Sequence, residues 1–159
     1  MIVKQIVDED FINYKKPSMF IAFPKCTWKC EKECGMRVCQ NNTLATSPNI
    51  EINAEKIVTR YLNNQLTRAV VFGGLEPIDS YTDLFELVHI IRNKYKCNDD
   101  IVIYTGYNHE EITKELNRIK PCGNIVVKFG RFIPGHNPHY DEVLGVMLAS
   151  DNQYAVRIS

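Results

Sequence analysis

Residues 69–79 read AVVFGGLEPID, and this stretch decides the fold. AVVF (69–72) is an unbroken apolar run, the pattern of a strand buried on both faces, and Gly73 and Gly74 close it. Such a strand needs a layer on each side, and helical signals flank it. Upstream, Asn53 is a good N-cap for a helix in which Ile57, Val58, Tyr61 and Leu62 recur at helical spacing. Downstream, Ser80 and Asp83 have the spacing of a capping box. They open a helix over 80–95 whose Leu84, Leu87, Val88 and Ile91 share one face.

The same alternation extends in both directions. SMFIAF (18–23), ended by Pro24, reads as a strand that feeds a cysteine-rich loop over 24–50. IVIY (101–104) is the next strand, ended by Thr105 and Gly106. Asn108 and Glu111 then cap a helix bearing Ile112, Leu116 and Ile119, stopped by Pro121 and Gly123. NIVVKF (124–129) and QYAVRI (153–158) are further strands. The pattern predicts an α/β fold: one domain over 1–159, with a mostly parallel sheet and covering helices. Ligands of such sheets bind at the carboxyl ends of the strands. The unusual segments all fall there: 26–39, 73–77, 105–107 and 129–135.

Composition narrows the function. Apolar residues make up 45% of the 159, enough for a buried core, and 19 Lys plus Arg balance 19 Asp plus Glu. Balanced charge argues against a nucleic-acid binder held by bulk electrostatics. No apolar run approaches the roughly 18 residues of a membrane span. MIVKQIVDED (1–10) turns acidic where a secretion signal is basic and then apolar, so the expected location is cytoplasmic, with no membrane partner.

Four of the six cysteines, Cys26, Cys30, Cys34 and Cys39, crowd into the 24–50 loop, while Cys97 and Cys122 stand alone. In a reducing compartment such a cluster holds a metal or does redox chemistry more often than it forms disulfides. All four would complete a thiolate zinc site, although zinc modules usually separate two cysteine pairs by a longer element. Three thiolates on one loop suit an iron–sulfur cubane with one iron left open. His89, His109, His136 and His139 have no neighbours in sequence that complete a metal site. Lys25, Lys29, Lys32 and Arg37 form a basic rim that is either solvated or faces an acidic electron donor.

Taken in order, these motifs resemble radical S-adenosylmethionine proteins, most closely the glycyl-radical activating family of the anaerobic ribonucleotide reductase activating protein. That family carries C-x3-C-x2-C after its first strand. The resemblance matches Cys26, Cys30 and Cys39 to the three metal ligands, with Cys34 the competing third. Gln40 and Asn41 follow Cys39 as a similar pair does there, and Val38 stands where the family has an aromatic residue. Gly74, Leu75, Glu76 and Pro77 align with the family's Gly-Gly-Glu-Pro turn, Leu75 replacing its second glycine, and the resemblance assigns Gly73, Gly74, Leu75 and Glu76, with Val38 and Gln40, to S-adenosyl-L-methionine. IVIYTGYNHEEI (101–112) and GVMLASDNQYAVRI (145–158) are similar to later family segments, and in VVKFGRFIP (126–134) Lys128 and Phe129 depart from the family's Val-Asp. The resemblance implies an incomplete (βα) barrel and a 4Fe–4S cluster that cleaves S-adenosyl-L-methionine reductively. It further implies a large glycyl-radical enzyme as partner, such as anaerobic ribonucleotide reductase, and a small electron donor such as flavodoxin or ferredoxin. Cleavage needs no protein acid or base, so no catalytic residue is expected. Two other readings stay open: a radical enzyme acting on a peptide or small molecule, and a non-catalytic zinc or iron–sulfur module.

Overall fold

A computed structural model describes residues 1–159. The chain opens with β1 (Ile2–Val3), β2 (Gln5–Asp10) and β3 (Ser18–Phe23). The cysteine segment then holds α1 (Lys29–Cys34), α2 (Asn42–Thr46) and β4 (Ile50–Glu51). Regular alternation follows: α3 (Ala54–Leu62), β5 (Ala69–Gly74), α4 (Tyr81–His89), β6 (Asp100–Tyr104), α5 (Thr113–Ile119) and β7 (Ile125–Phe129). A hairpin of β8 (His139–Asp141) and β9 (Val146–Leu148) precedes the last strand, β10 (Tyr154–Arg157).

Six strands form the central sheet in the order β10-β7-β6-β5-β3-β2. The inner four, β3, β5, β6 and β7, are mutually parallel, and β2 and β10 add antiparallel edges. The fold is thus α/β with a mixed, mostly parallel sheet. The four continuous apolar runs became the four parallel strands because only residues buried on both faces can occupy the sheet centre. The edge strand β2 carries Asp8, Glu9 and Asp10, and its polarity hid it from a hydrophobic pattern.

The two faces of the sheet are covered differently. Side chains of α3, α4 and α5, among them Ile57, Leu84, Leu87 and Leu116, pack on Ile21, Val70, Phe72, Ile103 and Val127 in the larger core. The opposite face carries Val71, Val102, Val126 and Ala155. Tyr14, Leu144 and Leu148, from connecting segments and the hairpin, cover it in place of helices. Leu84 is fully buried. Leu84→Ala is therefore expected to lower stability by about 2–5 kcal/mol, read from the urea midpoint at unchanged slope.

Local signals held where the structure uses them. Asn53 Oδ1 accepts from Glu55 N at 2.8 Å and starts α3. Asn108 and Glu111 form a reciprocal capping box, opening a 3-10 turn that leads into α5. Three expectations need correction. The 24–50 loop contains short helices, since α1 and α2 lack the apolar periodicity by which longer helices are recognised. Ser80 makes no cap: its Oγ is buried without a partner, and Glu76 instead caps the turn Pro77–Ser80 by accepting from Ile78 N at 3.1 Å. The helix expected over 80–95 is α-helical only to His89 and continues as a π turn over Ile90–Lys94.

Candidate functional site

The carboxyl ends of β3, β5, β6 and β7 are stitched together by backbone bonds. Leu75 N donates to Phe23 O at 3.3 Å and Glu76 N to Lys25 O at 2.9 Å, tying the turn after β5 to the chain leaving β3. Thr105 N donates to Lys128 O at 2.9 Å, and Gly130 N to Tyr107 O at 3.2 Å. Across this edge lies a cavity of about 320 Å³, within the usual range for small-ligand sites of about 300–1,000 Å³. Cys26, Cys30 and Cys39 line it together with Val38, Gln40, Gly74, Leu75 and Glu76. Gly73 and Cys34 lie outside its lining.

Side-chain bonds hold the cysteine segment over the cavity. Asn41 Nδ2 donates to Gly74 O at 2.8 Å, and Thr27 N donates to Asp79 Oδ2 at 2.6 Å. The Tyr107 hydroxyl donates to Asp79 Oδ1 at 2.6 Å, fixing the carboxylate that Thr27 uses. Lys29 pairs with Glu111 at 2.9 Å and sits 4.5 Å from the centre of the Tyr107 ring. Arg131, nearly buried, pairs with Glu111 at 2.6 Å and with Glu33 of α1 at 3.3 Å. Glu111 thus has a second task beyond capping, and its two cations hold its carboxyl down at about 2. Spacing in sequence gives no signal for this clasp, because its members come from three strand ends.

The thiols sit in a site that penalises free charge. Burial, with Glu76 and Asp79 nearby, pushes Cys26 up to about 11, although Trp28 N donates to its sulfur at 3.2 Å. Burial also raises Cys30 and Cys39, and a charge on Cys39 adds to the rise at Cys30. That mutual effect places these sulfurs within electrostatic range of one another. Without metal the thiols are protonated at neutral pH, so metal binding must release protons. The donor set fits an iron–sulfur cubane: soft sulfurs, with no histidine in the cavity lining. Nowhere do three His, Cys, Asp or Glu side chains converge as they would on one ion. Mononuclear zinc draws its thiolates to about 2.3 Å from a single centre, whereas a cubane spreads them over separate irons.

Glu76 is 5% exposed, and its oxygens accept from Ile78 N at 3.1 Å, Thr105 Oγ1 at 2.8 Å and Gly106 N at 2.8 Å. These donors favour the carboxylate, yet burial outweighs them and pushes the group up to about 7. A raised folded pKa gives stability that is present below the unfolded value and lost as pH rises through the folded one. Stability of the parent relative to Glu76→Gln is therefore expected to decline between about pH 4.5 and 7. The slope cannot exceed about 1.4 kcal/mol per pH unit, the limit for one proton. Urea melts of both proteins across this window check it, since a lost hydrogen bond shifts the curves by a constant but does not tilt them.

Fold and site together define an α/β protein whose strand ends carry a three-thiol pocket suited to an iron–sulfur cluster. A family model described as a 4Fe-4S single cluster domain matches residues 18–153, and the chain belongs to that family. The match runs from β3 to the residue before β10, so the cluster domain includes the four parallel strands and is not confined to the cysteine loop. No curated protein and no solved structure matches the chain. No helix is long and apolar enough to cross a membrane.

Proposed function

We propose that this chain is a radical S-adenosyl-L-methionine enzyme of the glycyl-radical activating type. One observation carries the reading: the three thiols and the Gly74–Glu76 turn line the same cavity. In this reading Cys26, Cys30 and Cys39 hold a 4Fe–4S cluster by three of its irons. Cluster and S-adenosyl-L-methionine together supply reductive cleavage of the sulfonium, and with it a hydrogen-abstracting radical. The carbonyls near Gly74 and Leu75 and the Glu76 carboxylate receive the methionine ammonium, and Val38 and Gln40 flank the nucleotide. Gly73, one residue outside the lining, keeps space at the strand end: a Cβ there would lie 2.7 Å from the Phe20 ring.

The open sheet then acts as an incomplete barrel, whose strand-end cavity admits a loop of a large glycyl-radical enzyme such as anaerobic ribonucleotide reductase. The basic rim of Lys25, Lys29, Lys32 and Arg37 suits a small acidic electron donor, flavodoxin or ferredoxin. A reducing cytoplasm suits six free thiols. Modification of another peptide or a small molecule is the second reading, favoured by the cavity's extension past the thiols to Tyr104 and Lys128.

The test is anaerobic reconstitution followed by dithionite and S-adenosyl-L-methionine. Release of 5′-deoxyadenosine is expected, and its absence from cluster-loaded protein would overturn the proposal. A glycyl radical detected by EPR on added reductase separates the first reading from the second.

A further inference from the structure

Three aromatic rings line the cavity: Tyr104, Tyr107 and Phe132. Two of them are already engaged by the protein. Tyr104 packs against the smaller core, and its hydroxyl donates to Asn13 O at 2.6 Å. The Tyr107 ring has Lys29 Nζ 4.5 Å and the Arg131 guanidinium 5.8 Å from its centre, and its hydroxyl donates to Asp79. Phe132 is different. It is half-buried, packs in neither core, stacks on no other ring and carries no cation.

The backbone around this ring is nonetheless pinned. Arg131 O accepts from Asn152 Nδ2 at 2.8 Å, and Ile133 N donates to Ser150 Oγ at 3.4 Å. One residue earlier, Gly130 O accepts from Gln153 Nε2 at 3.2 Å. Side chains of 150–153 thus fix the segment after β7 on both sides of Phe132. A ring that serves no core is held in place at the cavity wall, as a preorganised binding residue is.

Position says which part of a ligand meets it. None of the thiol-segment residues that line the cavity is aromatic, and Trp28 lies outside the lining. The proposed function gives the Gly74–Glu76 turn, at the end of β5, to the amino-acid end of S-adenosyl-L-methionine. Phe132 follows β7, two strands from β5 and roughly 10 Å across the sheet. An extended nucleotide anchored at β5 carries its base to about this remove. A nucleobase presents a flat π face, for which an aromatic ring is the matching surface.

We infer that Phe132 is the binding residue on which the adenine ring of S-adenosyl-L-methionine stacks. The inference rests on the radical reading for the identity of the ligand. S-adenosyl-L-methionine and S-methyl-L-methionine share the sulfonium and amino-acid end and differ in the nucleoside. Each is titrated calorimetrically into cluster-loaded protein without reductant. Phe132→Leu keeps apolar bulk but removes the π face. It is expected to weaken S-adenosyl-L-methionine by about tenfold, the scale of one base–aromatic stack, and to leave S-methyl-L-methionine unchanged. Phe132→Tyr keeps the ring and should bind S-adenosyl-L-methionine as the parent does. Because Phe132 belongs to neither core, both variants should melt with the parent.

Parent-like affinity for S-adenosyl-L-methionine in Phe132→Leu overturns the inference. So does a Phe132→Tyr protein as weak as Phe132→Leu, since the ring itself would then not be what binds. A tenfold loss for S-methyl-L-methionine also overturns it, because Phe132 would then act on the amino-acid end; where that probe binds neither protein, the Leu and Tyr variants decide. A parent protein that binds no S-adenosyl-L-methionine sinks the radical reading and the inference with it, whereas equal binding by parent and Phe132→Leu sinks the inference alone.

Discussion

Cys39→Ala protein, reconstituted anaerobically with iron and sulfide, is expected to lose the visible absorbance and the reduced EPR signal of a 4Fe–4S cluster. Cys34→Ala protein should keep both, with unchanged iron and sulfide content. The contrast follows from placement: Cys39 lines the cavity beside Cys26 and Cys30, and Cys34, at the end of α1, does not. Asn41 N also donates to the Cys39 sulfur at 3.3 Å, a bond that partly offsets the burial that raises this thiol. Removing one of three ligands leaves two thiolates, too few to hold the cubane against exchange with added thiols. A Cys39→Ala protein with full iron and sulfide would refute this ligand set, and loss of the cluster in Cys34→Ala would transfer the role to that residue.

Gly74→Ala is expected to be the most damaging single-methyl change in the site. Gly74 has φ +89°, where an L side chain is strained by about 1–3 kcal/mol. A Cβ there would also lie 2.7 Å from both Cα and Cβ of Ala22 and 2.8 Å from Phe23 N, atoms of the neighbouring β3 that cannot rotate away. Overpacking of this kind adds about 1–3 kcal/mol. Together the two terms come to about 2–6 kcal/mol, and a domain of this size loses about 2–4 °C of melting temperature per kcal/mol. Gly123→Ala separates the terms: its φ is +75° but nothing lies within 4 Å of the added carbon, so only the conformational strain applies. A Gly74→Ala protein that melts with Gly123→Ala would show that the β3–β5 contact is not the cause.

Gly74 also shows how a strand-end motif combines stability with binding. The close approach that excludes a Cβ brings the turn after β5 against the chain leaving β3, and Asn41 can then reach the Gly74 carbonyl. A larger residue here would separate the thiol loop from the turn while leaving each piece intact. Activity and melting temperature should fall together in Gly74→Ala, whereas Cys39→Ala should lose the cluster while retaining the apolar core.

Much of this molecule was legible from residue order alone. Four apolar runs, each closed by Gly, Pro or Thr, named the parallel strands to within two residues, because strands buried on both faces leave little freedom in composition. Caps at Asn53 and Asn108 were readable since a cap acts over three residues. The crowding of cysteines, and Gly-Gly-Leu-Glu-Pro one strand and one helix later, marked where a cluster would sit. What residue order could not show is which side chains meet. That Cys39 shares a cavity with Cys26 and Cys30 while Cys34 does not depends on how α1 and the segment after it fold over the strand ends. That Glu111 joins Lys29 to Arg131 and that Glu76 bridges two strand ends are likewise facts of distance. Periodicity reports which face of its own element a residue occupies. Charge pairing between elements far apart in the chain is set only once the sheet has assembled and brought their ends to one edge.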